Sequence, residues 1–165
     1  MFGNENGIFI LLGANLGNAK HTFSAATEAI KAFAHIVKTS AIYQSEAWGM
    51  DEAPPFYNQV IEIETSLSAQ ETIDTLLSIE NTLGRTRSTN ENYESRTIDL
   101  DLLLYRDEIM DFAPKYIIPH PRMHLRNFTL LPLCEIARDA VHPTLGKSME
   151  ELLKNSPDTL KVWKI

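Results

Sequence analysis

Arg96-Thr97-Ile98-Asp99-Leu100-Asp101-Leu102-Leu103-Leu104-Tyr105 is the stretch on which the fold turns. It reads as a buried β-strand that carries two carboxylates. Side chains of a strand alternate between faces, so Ile98, Leu100, Leu102 and Leu104 are expected on one side and Asp99 and Asp101 on the other. Two residues apart on a strand, the aspartates have Cα atoms about 6.6 Å from each other. Bare carboxylates at that spacing repel, and burial raises the cost. A hard cation such as Mg²⁺ between them removes both penalties. The bland alternative is a solvated sheet face, against which two strand-central aspartates argue. Arg96, with Arg85 and Arg87 upstream, suggests an anion held alongside.

Upstream of this strand, Ser68-Ala69-Gln70-Glu71 has the spacing of a capping box. The helix it opens has Ile73, Leu76, Leu77 and Leu83 as its apolar stripe and Gly84 as its stop. Phe56 to Glu64 reads as a strand, with Tyr57, Gln59, Ile61 and Ile63 on one face and Phe56, Asn58, Val60 and Glu62 on the other. A loop containing Trp48 and the Pro54-Pro55 pair separates it from an expected strand over 36–44. Trp48 either lids the core or covers a ligand. The first strand, Gly7 to Leu12, runs into Gly13-Ala14-Asn15-Leu16-Gly17-Asn18, with Asn18 placed to cap a helix that ends near His35. The glycine turn lacks the Gly-Lys-Ser/Thr ending of a P-loop and is no dinucleotide fingerprint.

Downstream, a short edge strand is expected near Ile109–Met110, and a helix from about Leu125 to Ile136 interrupted by Pro132. Ser148 is placed to cap a short helix through Leu153, and the alternating tail Leu160 to Ile165 reads as a last strand or a docked end. The order β-α-β-β-α-β followed by a helical extension is that of an α+β, ferredoxin-like α/β sandwich. It predicts an antiparallel sheet with helices packed on its apolar face and function on its polar face.

The 165 residues fit a single domain, 1–165. A formal charge of −7 argues against a nucleic-acid partner. Cys134 is the only cysteine, which excludes an intrachain disulfide and a Cys-rich zinc site; a core position suits it. No signal-peptide pattern opens the sequence and no apolar run is long enough to span a bilayer, so a soluble cytoplasmic protein is expected.

An oxygen-only pair of ligands suits Mg²⁺, which keeps waters and completes its shell with phosphate. Phosphate calls for positive counter-groups, and Arg85, Arg87, Arg96, Arg122 and Arg126 supply them. His120, set between Pro119 and Pro121, has a stiff backbone and an imidazole able to bond phosphate or shuttle a proton. Trp48, Phe56 and Phe128 can stack on a flat heteroaromatic ring, and the Asn58 carboxamide can read its edge.

Leu12-Gly13-Ala14-Asn15-Leu16-Gly17, Phe56-Tyr57-Asn58, the Arg96–Tyr105 run, Pro119-His120-Pro121-Arg122-Met123, Arg126-Asn127-Phe128 and Leu131-Pro132-Leu133 together resemble the 6-hydroxymethyl-7,8-dihydropterin pyrophosphokinases of folate biosynthesis. The resemblance covers essentially the whole chain. It implies transfer of the β,γ-pyrophosphate of ATP to the hydroxymethyl group of the pterin, giving AMP and the pterin diphosphate. It implies that Asp99 and Asp101 hold two Mg²⁺ ions, and that Arg85 and Arg96 act on the phosphates as catalytic and ATP-binding groups. It implies ATP contacts from Glu80, Lys115, His120, Arg122 and Arg126, and pterin contacts from Ser45, Glu46, Trp48, Phe56, Asn58 and Phe128. A monomer acting on ATP and the pterin is expected, with no nucleic-acid or membrane partner. The chain departs from the family habit in having Ser45-Glu46 for Thr-Pro, Phe56 for tyrosine, Tyr93 for a loop tryptophan and Pro121 after the histidine. The residues alone leave rivals open: another Mg²⁺-dependent phosphoryl transferase or hydrolase, an RNA-binding module, or a small-molecule regulatory domain.

Overall fold

Hydrogen-bond pairing assembles six strands into one sheet in the computed structural model, which describes residues 6–15, 17–46, 55–84 and 98–165. The first strand, β1 (Ile8–Ala14), is apolar at nearly every position and buried almost throughout. Such a run belongs to a strand covered on both faces. Its neighbours are β4 (Phe56–Thr65) on one side and β5 (Asp99–Tyr105) on the other, both antiparallel. Beyond β4 lie β2 (Ala34–Thr39) and β3 (Tyr43–Ser45), each paired with a different part of it, and β8 (Val162–Lys164) closes that edge against β3. A separate hairpin is formed by β6 (Met110–Phe112) and β7 (Tyr116–Ile118).

Helix α1 (Ala19–Ile30) starts at Asn18, whose side chain accepts from the His21 N–H, and buries Ala19, Phe23, Ala26 and Ile30. It stops earlier than the sequence pattern predicts. The chain turns at residues 31–33, and Thr65 Oγ1 donates to the Phe33 carbonyl, so β2 begins at Ala34. The expected strand over 36–44 is in fact two. Ser40 breaks it: its hydroxyl accepts the Val60 N–H at 3.0 Å and donates to the Ala41 carbonyl at 2.7 Å. The Ala41 N–H is left for Glu135, which accepts it at 2.9 Å.

Helix α2 (Ala69–Gly84) opens with Ser68 Oγ accepting the Glu71 N–H, as its capping sequence predicts. Ala69, Leu76 and the helix α1 residues pack with Ile8, Ile10, Leu12, Ile61, Ile63, Leu100 and Leu102 into one core. Leu77 is not part of it; 37% exposed, it faces a cleft described below.

A second core fills part of the opposite face, where the expectation was a bare polar surface. After a 3₁₀ turn at Met123–Leu125, α3 (Asn127–Ala137) and α4 (Met149–Lys154) pack Leu130, Leu133, Met149 and Leu152 on Phe9, Leu11, Val60, Leu103 and Leu104. Pro132 lies buried inside α3 and does not end it. Leu104 was expected with Leu100 and Leu102. A register shift in the β1–β5 pairing, with Leu102 opposite Ile10 and Leu104 opposite Phe9, leaves Leu103 as the extra residue. The bulge sends Leu104 to the second face, and Tyr105 takes its place in the first core. Beyond the extension, the uncovered end of that second face carries Asp99, Asp101 and Asn58.

Candidate active site between two cavities

Pairing fixes the rows of this face. Asp99 stands opposite Gly13, which stands opposite Asn58, which stands opposite Tyr43; Asp101 stands opposite Leu11 and then Val60. The two aspartates are half-buried and share a face, as expected. Strand β5 is an edge strand here, and its outer side is held by α2: Glu80 Oε1 accepts the Leu100 N–H at 2.6 Å. Glu80 therefore grips the backbone between the two carboxylates.

One cavity, of about 490 Å³, lies over the sheet face. Gly13, Ser45, Phe56, Asn58 and Phe128 line it, with Asp99 and Asp101. Its chemistry is mixed. Phe56 and Phe128 present ring surface, Asn58 a buried carboxamide and Ser45 a buried hydroxyl. Ser45 Oγ has no hydrogen-bond partner among the described residues, an arrangement that burial makes costly until a ligand supplies one. Glu46 is exposed at the rim, and its N–H reaches the Lys161 carbonyl. Arg126 also lines this cavity, its guanidinium carbon 5.3 Å from the Phe128 ring centroid, within cation–π range.

The other cavity, about 320 Å³, is a cleft along the outer edge of β5. Leu77 and Glu80 of α2 form one wall; Lys115, Ile117 and His120 form another. Asp99 and Asp101 line this cavity as well. The histidine is fixed at two points. Its N–H donates to the Leu103 carbonyl at 2.9 Å, and its Nδ1 accepts the Arg122 N–H at 3.2 Å. Burial, helped by the charges of Arg126 and Arg122, pushes its pKa down to about 4. The ring is thus neutral near pH 7, and with Nδ1 accepting, its proton sits on Nε2 as a donor.

Most of the sequence-predicted site meets here. Asp99, Asp101, Glu80, Lys115 and His120 come together at the edge cleft; Ser45, Glu46, Phe56, Asn58, Arg122, Arg126 and Phe128 surround the sheet-face cavity. Lys115 is turned to the surface, its Nζ 2.8 Å from Asp74 Oδ1, an oxygen that also accepts from the Tyr116 hydroxyl. Trp48, Arg85, Arg87, Tyr93 and Arg96 lie outside the described residues. Among the lining residues that were not anticipated are Asp158 and Leu160, which the tail carries back to the sheet-face cavity. Ser156-Pro157-Asp158 reads as a turn, and nothing in it points to a cavity that distant in sequence.

A metal is compatible with this donor set. Among the described residues no group of three or more His, Cys, Asp or Glu side chains could cage an ion. Two carboxylates opening onto both cavities instead suit a cation that takes its remaining oxygens from substrate and water.

Comparison with known proteins agrees with the geometry. The family model for 7,8-dihydro-6-hydroxymethylpterin-pyrophosphokinase (HPPK) matches residues 9–138. The 2-amino-4-hydroxy-6-hydroxymethyldihydropteridine pyrophosphokinase of Haemophilus influenzae is 40% identical over 152 residues, covering 91% of this chain and 92% of its own. The Bacillus subtilis protein of the same name is 33% identical over 162 residues, 97% of this chain and 92% of its own. In structure, the chain is similar to the wild-type HPPK-DHPS of Plasmodium falciparum crystallised with pteroate, at a TM-score of 0.71 and 14% identity. That likeness concerns the fold; it covers 92% of this chain, which spans only 44% of the longer one. With the family pattern matched from β1 through α3 and near-full-length relatives above 30% identity, the chain belongs to the 7,8-dihydro-6-hydroxymethylpterin-pyrophosphokinase family.

Proposed function

We propose that the family's reaction runs across the ridge formed by Asp99 and Asp101. The sheet-face cavity takes the pterin, the edge cleft takes ATP, and pyrophosphate passes to the pterin hydroxymethyl oxygen with AMP as the leaving group. The observation that carries this reading is that both carboxylates line both cavities. A transfer between two bound substrates needs such a boundary, with reacting atoms brought to about 3–3.5 Å of each other.

Each cavity has suitable partners for its substrate. Ser45 Oγ and the Asn58 carboxamide offer hydrogen bonds to the edge of the pterin, and Phe56 and Phe128 offer it stacking surface. In the cleft, His120 donates from Nε2 to the nucleotide without adding charge. Arg122 and Arg126 line the sheet-face cavity rather than the cleft, and in this reading they meet phosphate where it crosses the ridge, with Arg85 and Arg96 completing the set. Asp99 and Asp101 would hold Mg²⁺, two ions in this reading. Bound there, Mg²⁺ would neutralise phosphate charge and make the β-phosphorus more open to attack. No helix of the described residues is long and apolar enough to cross a membrane. The reading takes the enzyme to be a cytoplasmic monomer of one domain.

The test is AMP formation with ATP, Mg²⁺ and the reduced pterin, omitting one component at a time. AMP is expected only from the complete mixture. Pterin-independent release of free phosphate would instead identify a hydrolase.

A further inference from the structure

Helix α3 lacks a local cap. Arg126, at its N-cap position, makes no side-chain capping bond, yet the first N–H groups of a helix need acceptors. The acceptor comes from the tail. Asp158, 31 residues away, takes the Asn127 N–H on Oδ2 at 2.8 Å, and its carbonyl takes Asn127 Nδ2 at 3.2 Å. Its other carboxylate oxygen, Oδ1, accepts the Leu160 N–H at 2.9 Å.

Every one of these bonds ends next to the sheet-face cavity. Asn127 lies between Arg126 and Phe128, which stack on each other and line it; Leu160 and Asp158 line it directly. The tail is held on the same side by β8, where Val162 pairs with Ser45. Asp158 and Leu160 also lie beyond residues 9–138, the span that matches the family.

We propose that Asp158 is a positioning residue for pterin binding. It caps α3 from a distance, fixes the angle at which Phe128 and Arg126 enter the cavity, and seats Leu160 as part of the wall. The C-terminal segment is then a working part of the pterin pocket. This inference rests on the assignment of that cavity to the pterin.

The experiment compares wild type with Asp158→Ala, Asp158→Asn and Leu160→Ala, reading kcat, the KM for each substrate and Tm. Asp158→Ala is expected to raise the pterin KM about tenfold while the ATP KM and kcat move far less. Asp158→Asn, which keeps one accepting oxygen, falls between, and Leu160→Ala raises the pterin KM with little change in Tm. A folded Asp158→Ala protein with lowered Tm but a pterin KM within about twofold of wild type would reduce Asp158 to a purely structural cap. If that variant does not fold, an unchanged pterin KM in both Asp158→Asn and Leu160→Ala overturns the proposal. Absence of AMP formation by the wild type would instead bring down the activity assignment, and the role of Asp158 with it.

Discussion

The Asn58 carboxamide lies against Gly13 so closely that a Cβ at position 13 would sit 3.1 Å from Asn58 Oδ1. Alanine in a strand is otherwise favourable relative to glycine, by about 0.5–1 kcal/mol. Gly13→Ala should therefore keep or slightly raise Tm while displacing the carboxamide. Steady-state kinetics should show a several-fold higher pterin KM. An unchanged KM would remove Asn58 from the pterin contacts.

Glu80 offers a separate test of how the carboxylates are held. Its Oε1 accepts the Leu100 N–H between Asp99 and Asp101. Glu80→Ala should lower kcat by roughly 10–100-fold, the range seen when groups orienting metal ligands are lost. Glu80→Gln keeps a carbonyl acceptor and should retain most of the rate. Equal losses in the two variants would show that the charge of Glu80, rather than its grip on β5, is what matters.

Tyr43 donates to Glu135 Oε1 at 2.7 Å, and Glu135 also accepts the Ala41 N–H and lies 3.6 Å from Lys164 Nζ. Burial and this neighbouring carboxylate push the Tyr43 phenol well above its usual range. Tyr43→Phe keeps the ring and loses the bond, at a cost of about 1 kcal/mol. Calorimetry should show a Tm lower by about 2–4 °C for a chain of this size. A Tm equal to wild type would mean that water replaces the hydroxyl without loss.

Acid should weaken the fold through its histidines. Burial chiefly, and then the charges of Arg126 and Arg122, put His120 at about 4 against an ordinary 6.5. Burial and His124 also lower His142, whose Nδ1 accepts the Thr144 and Leu145 N–H groups. An imidazole harder to protonate when folded leaves the unfolded chain binding more protons, so stability rises with pH between the two values. For His120 that contribution is complete above pH 6.5 and is lost as pH falls toward 4. Glu62, held above its usual range mainly by burial, acts in the opposite sense. Comparing His120→Gln with wild type isolates the histidine. Wild-type Tm should drop more steeply than that of the variant between pH 7 and 5, and parallel curves would contradict the assignment.

What could be read from sequence followed from local rules. The Asp99/Asp101 alternation, the Asn18 and Ser68 caps and the alternation of Phe56–Glu64 each depend on residues a few positions apart, and each is realised. The misses depended on partners far along the chain. Ser40 breaks its strand by bonding Val60, and Leu104 changes face because of its pairing with β1. Apolar periodicity cannot tell one sheet face from the other when both are covered, so the second core under α3 and α4 went unseen. As lining of the two cavities, Asn58, His120 and Phe128, all within short motifs, were legible. Asp158 was not, because its role comes from a contact with Asn127 that no local pattern encodes.

In the proposed reaction Asp99 and Asp101 together form the boundary at which both substrates react. Its most direct test is the rate of AMP formation from ATP and the reduced pterin by Asp99→Asn and Asp101→Asn, each with a Tm near that of wild type. The rate is expected to fall on the order of 10³-fold in either variant. Turnover at the wild-type rate in both would contradict the account.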